Sequence, residues 1–444
     1  MKIAIVGAGI SGLTTAFYLK RARPGWELTI FDPGTRPGGT MQTETAEGFH
    51  FEAGGNGFLT NKPDSLRLVE DSGAQHLLMP SSDLARKRFI FDGSLHRLPE
   101  SPPAFLATRL LTWPQKLRVA GELFVRRRRE EGEETLQQFG YRRVGKGLTD
   151  VFLDAMTAGI YGTIPAKVSV NAAFPLVVSL EREHGGLFRG MLARRKQSAG
   201  PGGVLMSFQG GVGTLIDHLR RSIEADWRLG QPVERIARDG SRWRVESGSS
   251  SESFDQVVIG AQAYAAASIL ARSEPELACL LRSIEYTPIA VVGLGYRSLE
   301  HPLDGFGVLT TTSARAPVLG ILWDSSIFPD RAPQGCKSMR AMIGGQRNPE
   351  LVDQDDDGLV ATALRGLEQV MGVHAAPDVA FVRRWDKGIP HYVLGHMDRV
   401  RAIFDLLGQR PGLHAVCNAY HGIAMNDCTR NGRELSAQIL AQAG

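Results

Sequence analysis

Apolar positions along this chain follow two periods, and the points where the period changes mark its elements. Ile3 to Val6 is a short apolar run that opens directly into Gly7-x-Gly9-x-x-Gly12. Leu13, Ala16, Phe17 and Leu19 then recur at helical spacing, and a second apolar run, Leu28-Thr29-Ile30-Phe31, ends in Asp32. The order is strand, glycine turn, helix, strand. Residues 61–77 read as a helix entered at Pro63, and Arg88-Phe89-Ile90-Phe91 and Leu95-His96-Arg97-Leu98 flank Asp92-Gly93 as a hairpin. From 104 to 200 strand character disappears, and helical spacing comes with dense basic charge punctuated by Gly185-Gly186 and Gly200 to Gly203. Strands and helices return at Phe208 to Gly213. A helix over 214–224 leads to a hairpin, Pro232 to Ile236 with Trp243 to Val245, and a further strand at Phe254 to Gly260. Residues 289–296, 305–311, 318–323 and 338–345 are β-rich, and 358–371 reads as one helix. A last strand, Leu413 to Cys417, precedes a C-terminal helix carrying Leu435, Ile439 and Leu440. No internal repeat is visible.

The first turn carries a chemical reading. Gly7 permits the tight bend, Gly9 lets a pyrophosphate approach the backbone past Ala8, and Gly12 lets the helix pack on the strand. The helix start at Ile10 and Ser11 offers free N–H groups and a positive dipole end to phosphate. Asp32 stands about 20 residues on, where an acid holds a ribose hydroxyl. The next segment favours FAD over NAD. Gly38-Gly39-Thr40 lets another loop lie against the pyrophosphate, with Arg36 placed to hold a phosphate or fix that loop. Gly54-Gly55-Asn56-Gly57 puts backbone where a flat ring would lie. These linked motifs resemble the flavoprotein group that includes amine oxidases, phytoene desaturases and protoporphyrinogen oxidases.

Composition narrows the class without naming a function. With 444 residues, 43% apolar and 22% charged, the chain reads as ordinary globular protein, of about three domains at ~150 residues each. A net charge of +4 is too mild to imply nucleic acid. Cys279, Cys336, Cys417 and Cys428 form no CxxC pair, and a strand at residue 3 leaves no room for a targeting segment, so reduced thiols in the cytoplasm are expected. No apolar run reaches the ~20 residues of a spanning helix. Arg126 to Arg129, beside Phe105, Leu106, Leu110, Leu111 and Trp113, has two readings: a peripheral contact with anionic lipid, or a solvated face balanced by Glu130, Glu131, Glu133 and Glu134. His391 and His396 have no third ligand and do not read as a metal site.

Segments spread over almost the whole chain resemble the protoporphyrinogen oxidase family, which also contains coproporphyrinogen-oxidising members. They are Arg88 to Pro99, Ala158 to Gly162 with Ser169, Glu183 to Gly186, His301 to Gly307, Leu319 to Ser325, Ile389 to Tyr392 with Gly395-His396, and Asn418 to Cys428. The resemblance implies an α/β, amine oxidase-like fold: a Rossmann-type FAD-binding domain with an inserted β-rich substrate domain and an inserted helical domain. The expected boundaries are 1–80, 206–285 and 391–444 for the FAD-binding parts, 81–104 and 286–390 for the substrate parts, and 105–205 for the helical domain. Departures from the family pattern are Asp32 for the usual Glu, Cys417 for a glycine, and His391 where Gln is common. Asn56 occupies a flavin-facing position that varies across the family.

The resemblance also implies the chemistry. A porphyrinogen would lose hydride to FAD, with dioxygen as acceptor and hydrogen peroxide as by-product. Protoporphyrinogen is favoured over coproporphyrinogen, whose extra propionates would want extra cations. The cofactor carries the hard step, and no Ser-His-Asp order or paired carboxylate stands out to suggest otherwise. Arg88 is the expected propionate contact, and Phe306 and Leu309 the residues that sandwich a ring. Gly159 would bring a carbonyl near pyrrole N–H groups, and Met342 would line the cavity. Val233 would cover the adenine, and Asn418, Ile423, Ala424 and Met425 would bring backbone N–H groups to the isoalloxazine. A homodimer is left open. The alternatives are another flavin oxidase, acting on amines or polyenes, and a non-catalytic FAD or tetrapyrrole carrier.

Overall fold

The computed structural model describes residues 1–128, 132–197 and 203–443, so Arg129, Glu130 and Glu131 of the charged run, and Gly200 and Gly202 of the glycine cluster, lie outside the described residues. At the centre is a five-stranded parallel sheet in the order Asp226–Leu229, Glu27–Asp32, Lys2–Val6, Gln256–Ile259, Leu413–Ala415. Its strands are near-continuous apolar runs because helices cover both faces. Ile3, Ile5, Ile30 and Val258 pack with helix Ile10–Ala22 on one side, and Ala4, Val6, Val257 and Ile259 with helix Ala263–Leu270 on the other. The Rossmann-type topology expected from the first glycine turn is therefore present. The sheet is assembled from strands more than 400 residues apart in sequence, Lys2 to Ala415.

Several elements differ from the sequence reading, among them the hairpin Thr43–Ala46 with Phe49–Glu52 and the helices Pro275–Arg282 and His396–Gly408. Asp226–Leu229 was not expected as a strand, because its Asp-Trp-Arg-Leu pattern is half polar; at the sheet's edge none of its residues is fully buried. The stretch Phe254 to Gly260 is divided. Phe254 ends a three-stranded antiparallel sheet (Arg235–Asp239, Arg242–Ser247, Ser250–Phe254), and Gln256–Ile259 enters the parallel sheet. The hairpin at 232–245 thus belongs to a separate sheet. Val379–Pro390, with no counterpart in the reading, is the long edge strand of a seven-stranded sheet.

That second sheet runs Val379–Pro390, Tyr286–Tyr296, Lys337–Gly344, Gly320–Leu322, Gly307–Thr310, Arg88–Phe91, Leu95–Arg97. Its one parallel pairing joins Gly307–Thr310 to Arg88–Phe91, which brings the first hairpin beside a strand over 200 residues later. Between Leu95–Arg97 and Leu205–Phe208 the described residues form helices, turns and loops, with one isolated antiparallel bridge, Thr135 to Ser169. Here Leu110 and Leu111 are buried, while Leu106, Trp113 and Phe124 are exposed. No helix among the described residues is long and apolar enough to cross a membrane.

The helical region is pinned to the sheet by one buried ion pair. Helix Asp154–Tyr161 follows a π-helical turn at Thr149–Leu153, a local widening that often marks functional sites. Asp154 accepts from Arg347 Nη2 at 2.9 Å, from the Thr312 N–H at 2.7 Å and from the Thr312 hydroxyl at 2.8 Å. Arg347 also donates to the Thr310 carbonyl at 2.7 Å, and burial holds its guanidinium below the usual range. Removing one member of such a pair strands the other charge. Arg347→Met should lower unfolding stability by about 3 kcal/mol in urea titrations; a loss below about 0.5 kcal/mol would show that the pair contributes only geometry.

Candidate active site

The loops at the carboxyl ends of the parallel strands enclose a long groove, the place where open α/β sheets bind ligands. Gly7, Gly9, Ile10 and Ser11 line it at the start of the first helix. Gly7 has φ +108°, and a Cβ there would meet the Ala261 nitrogen at 2.7 Å, so only glycine closes this turn. Ala8 and Gly12 sit behind the lining. Ala8 is fully buried and donates its N–H to Asp32 Oδ2 at 2.8 Å, and a Cβ on Gly12 would strike the Gly7 carbonyl. The Gly9 Cβ position is open, as a pyrophosphate approach requires.

Asp32 faces the groove at the end of its strand. Its carboxylate accepts from the Ala8 and Gly34 N–H groups, each at 2.8 Å, which pulls its pKa down; burial is the larger effect and leaves it above the ordinary aspartate value. Arg36, Gly38, Gly39 and Thr40 line the next part of the wall. Arg36 pairs with Glu44, which also receives Arg383 at 3.0 Å, so in this structure it ties its loop to the neighbouring hairpin. Gly55, Gly57, Asn418, Ile423, Ala424 and Met425 line the far end, where helix Met425–Gln442 begins. Val233 is not among the groove lining. It lies past the edge strand and packs on the core that contains Ala4, Val6, Val257 and Ile259.

A second cavity of about 700 Å³ adjoins the groove and shares Thr40, Gly55, Gly57, Trp385, Asn418 and Ile423 with it. Arg88, Gly159, Phe306, Leu309 and Met342, read from positions up to 254 residues apart, all line this one cavity, together with Gly54 and Asn56. Leu309 packs between two glycines: a Cβ on Gly159 would stand 2.7 Å from its Cδ2, and one on Gly320 at 2.9 Å. The Gly159 carbonyl falls in the last turn of its helix, where the helix supplies no N–H partner. Arg88, exposed at the cavity mouth, places its guanidinium carbon 5.2 Å from the Phe306 ring centre. It is the only charged residue lining the cavity among the described residues. Among the described residues no Asp, Glu, His, Cys, Ser, Lys or Tyr lines it.

Three residues that shape the junction carried no role in the sequence reading. Arg340 is wholly buried. It donates to both oxygens of Asp324 (2.6 and 3.0 Å), to the carbonyls of Glu52 (2.5 Å) and Gly54 (3.0 Å), and to Asn56 Oδ1. Its signal was a charge set among the apolar residues Met339, Ala341, Met342 and Ile343. The Trp385 indole donates to the Ala53 carbonyl at 2.8 Å. Tyr392 donates to the Asn418 carbonyl at 2.6 Å and accepts from the Gly422 N–H at 2.9 Å, pinning the loop before the last helix. Burial drives the Tyr392 pKa far up, so it stays a neutral donor. Behind it His396 stacks at 4.0 Å, and burial pushes that imidazole down to about 4.

A model of the flavin containing amine oxidoreductase family matches residues 10–440. The chain is 26% identical to the coproporphyrinogen III oxidase of Bacillus subtilis, across 99% of this chain and 97% of that protein. It is 29% identical to the chloroplastic protoporphyrinogen oxidase 1 of Spinacia oleracea, across 98% and 83%. A solved structure from Exiguobacterium sp. 255-15, provisionally designated a protoporphyrinogen oxidase, superposes with a TM-score of 0.87 at 26% identity and covers 99% of both chains.

The Asp32 geometry sets a pH dependence for whatever ribose it holds. The carboxylate is the form that accepts two hydroxyl donors, and burial raises the pH at which it takes a proton. Affinity for the bound dinucleotide should therefore be full at neutral pH and fall on acidification earlier than an ordinary aspartate would allow. Ultrafiltration of the loaded protein from neutral to acidic pH measures this. Asp32→Asn should bind more weakly at neutral pH and lose the acid-dependent step; an unchanged profile would remove Asp32 from the ribose contact.

Proposed function

The chain belongs to the flavin containing amine oxidoreductase family, and we propose that within it the protein oxidises protoporphyrinogen IX to protoporphyrin IX, with dioxygen as acceptor and hydrogen peroxide as by-product. FAD is the cofactor, and the residues present fit it. Gly9 and Gly55 leave open space where side chains would intrude, and two helix N-termini, at Ile10 and Met425, face the groove. Asn418 Oδ1 is buried without a protein partner at the junction, as expected of an acceptor that serves a bound ring.

The observation that carries the reading is the cavity beside that groove: large, mostly apolar, lined among the described residues by no carboxylate, imidazole, thiol or amine and by one hydroxyl, Thr40, with one cation at its mouth. Such a wall offers no general base, and so nothing to activate its one hydroxyl as a nucleophile. When bound, FAD supplies the hydride acceptor. The chain's part is to bind, orient and keep water out. Phe306 and Leu309 grip the tetrapyrrole from its two sides, and Arg88, its guanidinium carbon 5.2 Å from the Phe306 ring centre, takes a propionate at the mouth. The Gly159 carbonyl receives pyrrole N–H groups. Helix Met425–Gln442 turns its positive end towards the ring, which favours added negative charge there.

Charge supports the choice between the two porphyrinogens. Two cations that flank Arg88 on its hairpin are already committed, Lys87 to Asp304 at 2.6 Å and Arg97 to Glu100 at 3.0 Å. One guanidinium in the lining among the described residues suits a substrate whose propionates are few and sit on one side. Coproporphyrinogen III, with more propionates, is the second reading, favoured by the similarity to the Bacillus subtilis protein over nearly the whole of both chains.

Anaerobic mixing of the FAD-loaded protein with each porphyrinogen separates these readings. Protoporphyrinogen should bleach the oxidised flavin fast, with porphyrin fluorescence and peroxide once air is admitted; faster bleaching by coproporphyrinogen would move the assignment to the second reading, and none by either would end both. Arg88→Ala should raise KM about ten- to a hundredfold while FAD stays bound, the loss expected for one charge-assisted contact. Unchanged kinetics would take Arg88 out of the site.

A further inference from the structure

The orientation of the Asn56 side chain is dictated by Arg340. A guanidinium has five N–H donors and no acceptor, so only the amide oxygen of an asparagine can face it. Here the five donors are all used: two on Asp324, two on the Glu52 and Gly54 carbonyls, and one on Asn56 Oδ1. The amide cannot turn over without setting N–H against N–H. Asp324 holds Arg340 from behind and is itself 2% exposed, so the guanidinium has no room to rotate away. Asn56 Nδ2 is consequently turned from the protein, has no hydrogen-bond partner among the described residues, and belongs to the wall of the second cavity between Gly55 and Gly57, which line both cavities.

That placement is chemically selective. The rest of the cavity is apolar apart from Thr40, Arg88, Trp385 and Asn418, and the Trp385 indole N–H is spent on Ala53. A pair of neutral donors locked at the boundary with the FAD groove would find few partners on a porphyrinogen, whose ring nitrogens are themselves donors. Its complement is a small group rich in lone pairs. We infer that Arg340 and Asn56 together build a hydrogen-bond donor site for a small oxyanion on the cavity side of FAD, with Asn56 making the contact and Arg340 acting as the positioning residue. The buried Arg340–Asp324 pair is close to charge-neutral as a unit, so the site acts by directed N–H groups and not by net charge.

Sulfite is the probe, because it adds to oxidised flavins from an open face, bleaches them, and leaves its oxygens as acceptors. No porphyrinogen is needed, so the result is independent of the substrate assignment. The FAD-loaded protein should bind sulfite. Asn56→Asp keeps an acceptor for Arg340 but replaces the donors, and should weaken sulfite binding about tenfold or more, with FAD retained. Arg340→Lys should weaken it comparably, and combining the two should add little, because both changes remove one contact. The absorbance envelope of the bound flavin and the melting temperature of each variant separate this from unfolding; should Arg340→Lys fail to fold, the Asn56→Asp titration decides alone. Sulfite affinity equal to wild type in Asn56→Asp, or a wild-type protein that binds no sulfite, overturns the inference.

Discussion

A positive charge that never reaches water organises the boundary between the two cavities. Arg340 is 0% exposed. Burying a charge of this size costs several kcal/mol even after relaxation, and the cost is met only where every donor finds a partner. Asp324 supplies the countercharge, and the remaining donors fall on the segment Glu52 to Asn56. The consequence is local rigidity. The glycine loop that separates groove from cavity has little side chain of its own to hold it, so its position is set from outside by Arg340 and Trp385. Glu52 is fixed in turn by Arg331 at 3.0 Å and by the Val212 N–H at 3.0 Å, which ties the loop to the start of helix Gly213–Ser222. Burial pushes the Glu52 carboxyl up, against the pull of Arg331 and Arg340.

The two cavities divide the chemistry by their walls. The groove is made from backbone, glycine turns and helix ends, the surfaces that suit phosphates and a ribose. The neighbouring cavity is made from side chains on strands of the second sheet and on helix Asp154–Tyr161, nearly all apolar. The Asp154–Arg347 pair keeps that helix seated, and Tyr392 keeps the loop Asn418 to Gly422 seated from the opposite side. A flexible, hydrophobic, carboxylate-bearing substrate and a cofactor that does the redox chemistry are what such a division accommodates. A small hydrophilic amine would leave most of the apolar wall without a partner.

The parts legible in the sequence were those written locally. Ile3 to Val6 with the three glycines gave the first turn, and Asp92-Gly93 gave the hairpin that carries Arg88. The cavity residues came from resemblance, since nothing local in Phe306 or Met342 says that the two face one space; the register that brings Met342 opposite Gly320, and Gly320 opposite Leu309, is a property of the assembled sheet. Val379–Pro390 escaped because Arg383, Arg384, Asp386 and Lys387 interrupt any alternation, which an edge strand tolerates. Arg340 was visible as a charge among apolar neighbours, yet its meaning depends on Asp324 and on the Glu52 loop, the latter 288 residues away and adjacent only after folding.

The most direct test of the central claim, one groove for FAD and one adjoining cavity for a tetrapyrrole, is a crystal structure of the FAD-loaded protein with a bound porphyrin. The account predicts the macrocycle between Phe306 and Leu309, a carboxylate on Arg88 and one edge against the cofactor at Asn56. A porphyrin held outside this cavity, or inside it with its carboxylates turned away from Arg88, would contradict it.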